Sequence, residues 1–506
     1  MSEEQTIRSE RIAKVEALRA LGQDPYALEK YSRTHSAADI AAHFDQLETH
    51  DVAIAGRLVQ QRIMGKAAFI NLLDGSGRIQ VYVRKDDVGE EEYERFKDLD
   101  IGDIVGVNGF VFKTRTGEIS VHARSYTLLA KCLRPLPIGK EGDDGEQHSA
   151  LSDTEHRQRM RYLDVLANPE ARETLVKRCR LVTALRRLLD DQEFLEVETP
   201  VLLGQAGGAA ARPFMTHHNA FDHDFKLRIA LELYLKRLIV GGFEKVYEIG
   251  RVFRNEGIST KHSPEFTLLE LYQAFADLDD IMDLTEEIFV AGCTAVNGEP
   301  RMTYHGKSRN GESAPEEVDF SRRPWRRLAM LDGIREYAGV QPEELTNLAS
   351  AKAACERVGI PTEHENTVGG IIEKLHERFT QPHLVQPTFI VDFPIETSPF
   401  AKKRSGCPGL VRRFEVYALT QELGNAFSEI NDPLEQRERF ENQVKQREAG
   451  DDEAHPMDED FLRAMEYGMP PTGGLGIGID RLAMVLSSAA SIRDVIMFPL
   501  LKPIDS

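Results

Sequence analysis

The stretch Leu227–Ala276, LRIALELYLKRLIVGGFEKVYEIGRVFRNEGISTKHSPEFTLLELYQAFA, constrains the fold more than any other part of the chain. It reads as a helix followed by two strands on either side of a long polar loop. Lys245 to Arg254 is the first strand, rich in Val, Tyr, Ile and Phe. Glu256 to Pro264 is the loop, and Phe266 to Phe275 returns as the second strand. Residues two apart share a face of a strand. One face therefore carries Phe266, Leu268, Glu270 and Tyr272, with Arg254 at the mouth of the other strand. An aromatic plate, a carboxylate, a phenol and a guanidinium meet there, a set with the chemistry to hold a purine, an ammonium group and a phosphate.

Two later segments carry matching chemistry. Residues 413–431, RFEVYALTQELGNAFSEIN, return to strand, and Asn425, Phe427 and Glu429 share one face. Glu415 and Glu422 flank the turn Leu419-Thr420-Gln421 and are expected to oppose each other across a hairpin. Two carboxylates about 4 Å apart repel by about 4 kcal/mol at an effective dielectric of 20, so such a pair calls for a shared proton or a cation. Beside phosphates, Mg2+ suits this role. Residues 473–486, GGLGIGIDRLAMVL, form a strand running into a helix. Gly474, Gly476 and Gly478 alternate, leaving one face without side chains for a flat ligand. Asp480 is the expected N-cap, and Arg481 opens the helix where an anion is favoured. The spacing is GxGxG, not the GxGxxG of dinucleotide folds. Gly306-Lys307-Ser308 lacks the first glycine of a P-loop, since position 301 is Arg.

Ahead of these, residues 3–21 form an amphipathic helix ended by Gly22 and Pro25. Asp51 to Arg134 reads as five short strands with a helix-like acidic insert, Asp87–Leu99, after the third. That is the pattern of the oligonucleotide-binding barrel. Phe69 is placed to stack on a base, and Gln80 and Glu118 to bond base edges. An equally good reading puts Phe69 in the core. The chain carries a net charge of −20, which argues against indiscriminate nucleic-acid binding. Within 51–134, however, the residues outside Asp86–Asp103 number 11 basic to 3 acidic, which suits one specific polyanion.

Pro169 to Gln192 is a long helix with Asn168 as expected N-cap. It leads into a strand, FLEVETPVL (Phe194–Leu202), whose Pro200 belongs at an edge or a subunit boundary. The loop QAGGAAARPFMTH at 205–217 offers Gly207 and Gly208 for close approach to a ligand. Residues 299–324 read as polar and irregular, and 327–380 as an inserted helical subdomain. With 506 residues, two or three domains are expected: a helical extension at 1–50, the barrel at 51–134, a linker at 135–152 and a catalytic region at 153–506. No apolar run reaches membrane-spanning length, and the charged N-terminus lacks a signal core, so the cytoplasm is expected. Cys132, Cys179, Cys293, Cys355 and Cys407 show no CxxC pair and read as free thiols.

Three of these segments together resemble the signature set of class II aminoacyl-tRNA synthetases. FLEVETPVL resembles the first motif, FRNEGISTKHSPEFTLLELY (Phe253–Tyr272) the second and GLGIGIDRLAMVL (Gly474–Leu486) the third. FRNEG with HSPEFT, GGAAARPF (Gly207–Phe214), LELYLKRL (Leu231–Leu238), ELGNAFSEIND (Glu422–Asp432) and RIMGKAAF (Arg62–Phe69) resemble the bacterial-type lysyl-tRNA synthetases, over nearly the whole chain. The resemblance implies an α+β fold: an antiparallel catalytic sheet flanked by helices, with an N-terminal OB-fold barrel. It implies a homodimer joined through the first motif, and L-lysine, ATP and tRNA(Lys) as substrates. By the same resemblance, Arg254 holds the α-phosphate, Glu256 and His262 contact ATP, and Phe266 and Arg481 sandwich the adenine. Glu415 and Glu422 ligate Mg2+, with Glu415 also beside ATP. Glu232, Glu270, Tyr272, Asn425, Phe427 and Glu429 line the lysine pocket, and Phe69, Gln80 and Glu118 read the anticodon.

The chain departs from that family at Thr420, where a glycine is usual, and at Leu231, where proline is common. Rival readings are an aspartyl- or asparaginyl-type synthetase, an enzyme that lysylates a protein, and a non-catalytic synthetase-like RNA-binding protein. The first would place cationic or amide-reading groups where this chain has Glu232, Glu270 and Glu429. The second leaves the barrel without a use, and the third leaves both arginines and the glutamate pair without one.

Overall fold

The computed structural model describes residues 2–137, 151–305, 315–363, 365–448 and 454–504. Residues 138–150 of the expected linker, and the Gly306-Lys307-Ser308 segment, lie outside the described residues. The chain divides into two units, Met1–Asn168 and Pro169–Ser506.

In the first unit, a helix spans Glu3–Ala20, started by a capping box of Ser2 and Gln5. Five strands follow: β1 (Asp51–Met64), β2 (Ala67–Leu73), β3 (Arg78–Arg84), β4 (Ile104–Lys113) and β5 (Ile119–Ala130). They close into a barrel in the order β1-β2-β3-β5-β4. Period-2 alternation sorts the faces: Ala68, Ile70 and Leu72 point inward, while Phe69 and Asn71 are half-buried on the outside. The acidic insert becomes two helices, Lys85–Val88 and Glu90–Lys97, and Tyr93 and Phe96 of the second plug the barrel core. The Asn168 amide donates to Asp164 Oδ1 at 2.7 Å.

The second unit is built on a nine-stranded sheet. Its strands are β6 (Leu195–Glu196), β10 (Lys245–Phe253), β11 (Glu265–Ala274), β14 (Arg326–Ala329), β15 (Thr388–Pro394), β16 (Lys403–Arg404), β17 (Cys407–Ala418), β18 (Gln421–Ser428) and β19 (Thr472–Gly478). Two small sheets use the remaining numbers: β7 (Leu202–Leu203), β8 (Met215–His218) and β9 (His223–Leu227) in one, β12 (Arg301–Tyr304) and β13 (Glu316–Asp319) in the other. The main order is β14-β15-β17-β18-β19-β11-β10-β6, with β16 on β17. The middle pairings are antiparallel, and β14 and β6 add parallel edges. Helices Pro169–Asp191, Leu278–Asn297 and Ile479–Leu486 supply Leu181, Leu185, Ile281, Ile288, Phe289 and Leu482 to one core. That core packs on Leu269, Leu271, Val416, Ala426, Leu475 and Ile477, so one sheet face is dry and the alternate residues form the other.

Four expectations change here. FLEVETPVL is not one strand: only Leu195–Glu196 and Leu202–Leu203 are extended pairs, because Pro200 has no N–H for a ladder. Residues 299–324 contain the β12–β13 pair. Asp480 is no N-cap, as Gly478 holds that position. Ala418 pairs with Gln421 and Tyr417 with Glu422, while Glu415, beyond a register shift, pairs with Asn425, so the two glutamates are diagonal neighbours. The five cysteines are free. No helix among the described residues is long and apolar enough to cross a membrane.

The β17–β18 turn holds Leu419 and Thr420 at φ of 56° and 60°, both left-handed. A two-residue hairpin of this kind favours Asn and Gly. Its tip is tied down by Leu419 N to Val385 O at 2.8 Å and Thr420 N to Leu384 O at 2.9 Å, which holds the strain in place. Left-handed backbone costs an ordinary residue roughly 1–2 kcal/mol, and Asn less. Thr420→Asn is expected to raise the denaturant midpoint of unfolding, by about 0.5–1 kcal/mol of stability. A lowered midpoint would show that the threonine side chain outweighs its backbone strain.

Candidate functional site

The wet face of the sheet is organised as rows across five strands. Glu248, Glu270, Gly476, Asn425 and Glu415 are successive cross-strand partners, from β10 through β11, β19 and β18 to β17. The next row runs Val246, Tyr272, Gly474, Phe427, Arg413. The glycines of β19 thus form a trough flanked by the side chains of β11 and β18. A Cβ on Gly474 would collide with Glu429 Oε1 and stand 2.6 Å from Tyr272 Cε1. Its missing side chain makes room for those two groups, not only for a ligand.

Above the trough lies a cavity of about 430 Å3. It is lined by Glu232, Arg254, Glu256, His262, Phe266, Glu270, Tyr272, Glu422, Asn425, Phe427, Glu429 and Arg481, among others. A second cavity of about 360 Å3 shares Lys261, His262, Arg413, Glu422 and Arg481 with it and adds Glu415 and Tyr417. Every site residue expected in the catalytic region therefore lines one of two adjoining hollows. Phe69, Gln80 and Glu118 belong to the barrel unit.

One end of the larger cavity is acidic. Glu232, Glu270 and Glu429 are each about 95 % buried or more. Burial pushes Glu270 up to about 8, and neighbouring Glu232 adds to it. Burial likewise pushes Glu429 up to about 8, against the pull of Lys236. Glu270 Oε1 accepts the Leu231 N–H at 3.1 Å, at the start of helix Glu232–Val240, and Oε2 accepts the Tyr272 hydroxyl at 3.3 Å. The alternation of β11 and the helical turn after Leu231 bring these groups together.

The other end is cationic. Burial lowers the pKa of the Arg254 guanidinium. It lies on the Phe266 ring, 5.2 Å from the centroid, and Nε donates to Ile229 O at 3.3 Å. Arg481 Nη1 donates to Glu422 O at 2.9 Å. In the polar loop, Ser259 Oγ meets His262 Nδ1 at 2.9 Å, and Ile492 N donates to Thr260 O at 2.8 Å, so the loop is braced. Burial, then Arg481, lowers the pKa of His262 and keeps it neutral. Asp480, buried, accepts Thr267 N at 2.7 Å and Arg178 Nε at 2.9 Å, locking β11 to the helix that carries Arg481. On the far side, Arg228 donates to Glu248 Oε1 at 2.6 Å, and Glu248 Oε2 accepts Thr199 N at 3.0 Å, fixing the segment before Pro200.

Glu415 is oriented by Arg413 Nη2 on Oε1 and the Tyr417 hydroxyl on Oε2, each at 2.6 Å. Burial pushes it up to about 7, with Arg413 opposing and Glu422 adding. A carboxylate has about four acceptor directions, so capacity remains for a cation. This donor set, Glu415 with Glu422 diagonal to it beside a phosphate-sized hollow, fits Mg2+.

Several residues escaped the sequence reading. Arg413 is two before Glu415 on the same strand, and Lys236 is one helical turn after Glu232, so spacing could have found both. On the barrel, Phe69 lies 4.8 Å from Tyr82, and Tyr82, Phe110, Phe112 and His122 continue an outward ring cluster. Alternation again was the available signal. Gln80 Oε1 accepts the Ser120 hydroxyl at 2.8 Å, and Glu118 is exposed.

Residues 153–502 match the family tRNA synthetases class II (D, K and N), and residues 52–129 match the OB-fold nucleic acid binding domain. The chain belongs to this class II aminoacyl-tRNA synthetase family. It is 51% identical to a lysine–tRNA ligase of Pelotomaculum thermopropionicum over 99% of this chain and 96% of that one. It is also 51% identical to a lysine–tRNA ligase of Moorella thermoacetica over 99% and 98%, and 49% identical to one of Thermoanaerobacter sp. strain X514 over 97% and 95%.

The tight fit at Gly474 yields a prediction. Gly474→Ala must displace Glu429 or Tyr272, and a misplacement of about 1 Å costs on the order of 100-fold in rate. Amino-acid-dependent ATP–pyrophosphate exchange is expected to fall by about that factor while the fold is kept, as followed by circular dichroism.

Proposed function

We infer that this chain is a lysine–tRNA ligase that activates L-lysine with ATP and transfers it to the 3′ end of tRNA(Lys). The observation that carries this reading is the acidic end of the cavity. Three buried carboxylates, Glu232, Glu270 and Glu429, stand where an aspartyl- or asparaginyl-type enzyme would need cationic or amide-reading groups. Buried carboxylates reject ligands that leave them unpaired, so the site selects an amine. Tyr272, Asn425 and Phe427 complete the lysine pocket.

Two steps follow. A lysine carboxylate oxygen attacks the α-phosphorus of ATP, and the bond to pyrophosphate breaks, leaving lysyl-adenylate. A hydroxyl of the terminal ribose of tRNA then attacks the lysyl carbonyl, and AMP leaves. Arg254 neutralises the α-phosphate, Phe266 and Arg481 hold the adenine, and Glu256 and His262 contact the nucleotide. Glu415 and Glu422 would hold Mg2+, which supplies charge neutralisation to the phosphates. No protein nucleophile takes part; catalysis is positioning and electrostatics.

Exposed Leu195, Val201 and Leu202 around Pro200, with exposed Met215 and Phe221, favour a homodimer through this segment. A cytoplasmic location goes with the same reading. In the barrel, Phe69 stacks on an anticodon base while Gln80 and Glu118 bond base edges. The half-buried outward ring of Phe69 supports this role over a core role.

ATP–pyrophosphate exchange with lysine, aspartate and asparagine in turn tests the assignment; exchange with aspartate or asparagine and not with lysine would overturn it. Arg254→Ala is expected to slow lysine-dependent exchange by about 100-fold or more, with little change in lysine binding. Phe69→Ala is expected to leave exchange intact and weaken tRNA binding by about 1–3 kcal/mol, read as a higher KM for tRNA in aminoacylation.

A further inference from the structure

Lys236 lies in helix Glu232–Val240, four residues after Glu232 and so on the same face. Its side chain is 1% exposed. Nζ contacts Glu232 Oε1 and Glu429 Oε2, and sits over the rings of Phe400 at 4.8 Å, Tyr272 at 5.9 Å and Phe461 at 6.0 Å. A buried ammonium is expensive unless paired, and this one has two carboxylates and an aromatic cage. Lys236 does not line the cavity. Glu232 and Glu429 do, and stand between it and any ligand. Neither carboxylate oxygen of Glu429 has a hydrogen-bond partner: Oε2 is ion-paired to Lys236, and Oε1 lies against Gly474 at the trough.

We propose that Lys236 is a positioning and specificity-determining residue: a fixed internal counter-charge that holds Glu232 and Glu429 from behind and sets the number of amines the pocket requires. The inference rests on the lysine reading above. Glu232 and Glu429 share this one internal ammonium, while Glu270 accepts the Leu231 N–H and the Tyr272 hydroxyl and feels Arg254 from the cationic end, so at the acidic end three carboxylates meet one ammonium, an excess of two. A substrate with two ammonium groups, its carboxylate turned to the nucleotide, closes that balance. An amino acid with one amine leaves a buried carboxylate that must take up a proton, a penalty against neutral side chains of similar length. Burial lowers the affinity of Lys236 for its proton, but Glu232 and Glu429 more than restore it, so the residue stays charged.

Removing this cation leaves three acids for two substrate amines. The titratable groups around it are Glu232 on its own helix, Glu270 and Tyr272 on β11, Glu429 beyond β18, and His455 beside Phe400. Without the ammonium, the carboxylates hold their protons to higher pH, and lysine, which pairs with ionised acids, binds well only at more alkaline pH. The test is lysine-dependent ATP–pyrophosphate exchange by Lys236→Met between pH 6 and 9. The expected result is a KM for lysine raised on the order of tenfold at neutral pH, recovering as pH rises, with KM for ATP within about twofold of the unmodified enzyme; tenfold corresponds to one unit of carboxylate pKa. Lys236→Arg, which keeps the charge, is expected to keep the unmodified pH dependence, and it carries the test should the methionine variant not fold. An unchanged lysine KM across this range in folded Lys236→Met would overturn the proposal. So would Lys236→Arg showing the alkaline shift expected of a lost charge. Failure of the unmodified enzyme to exchange with lysine at all would instead sink the underlying reading.

Discussion

The blank strand at the centre of the sheet is the constraint on which the site depends. Side chains on adjacent strands stand about 5 Å apart, and a cavity opens only where one strand contributes none. Gly474 and Gly476 supply that gap, while Leu475 and Ile477 between them fill the core on the opposite face. Tyr272 and Glu270 can then converge with Phe427 and Asn425 across the trough. The same strand continues into the helix bearing Arg481, and buried Asp480 ties that junction to β11 and to helix Pro169–Asp191. Floor, acidic end and cationic end are thereby parts of one rigid body of hydrogen bonds.

Charge burial divides the cavity into its two functions. Carboxylates deprived of water hold protons or seek cations, and guanidiniums deprived of water seek anions. Glu270 and Glu429 are pushed up to about 8 for the first reason, and burial draws the pKa of Arg254 down for the second. A molecule with ammonium at one end and phosphate at the other would satisfy both, and lysyl-adenylate is such a molecule.

Much of this was legible in the residue order. The period of two in β11 placed Phe266, Glu270 and Tyr272 on one face, and the alternating glycines of β19 marked the trough. The barrel was readable from five turn-bounded strands and one insert. What could not be read was long-range register. Glu415 and Glu422 flank a hairpin, yet its two-residue turn sets Glu422 opposite Tyr417 and so diagonal to Glu415, and Asp480 has the composition of a cap while its carboxylate serves Thr267 and Arg178. FLEVETPVL has strand composition throughout, but Pro200 breaks it into two short pairs. Lys236 went unnoticed because ELYLKRL looks like any amphipathic helix, whose lysines normally reach water. Its spacing from Glu232 was the available signal, and the packing of Phe400 and Phe461 over it shows the burial.

The featureless middle strand also bears on how such a scaffold diversifies. Glu270 and Tyr272 project from β11, and Asn425 and Phe427 from β18, on either side of a floor made of backbone. Exchanging those flanking side chains would alter the molecule accepted without touching the backbone ties made by Asp480 and the polar loop. One rigid frame can thus serve several amino acids by repainting its walls rather than rebuilding its foundation.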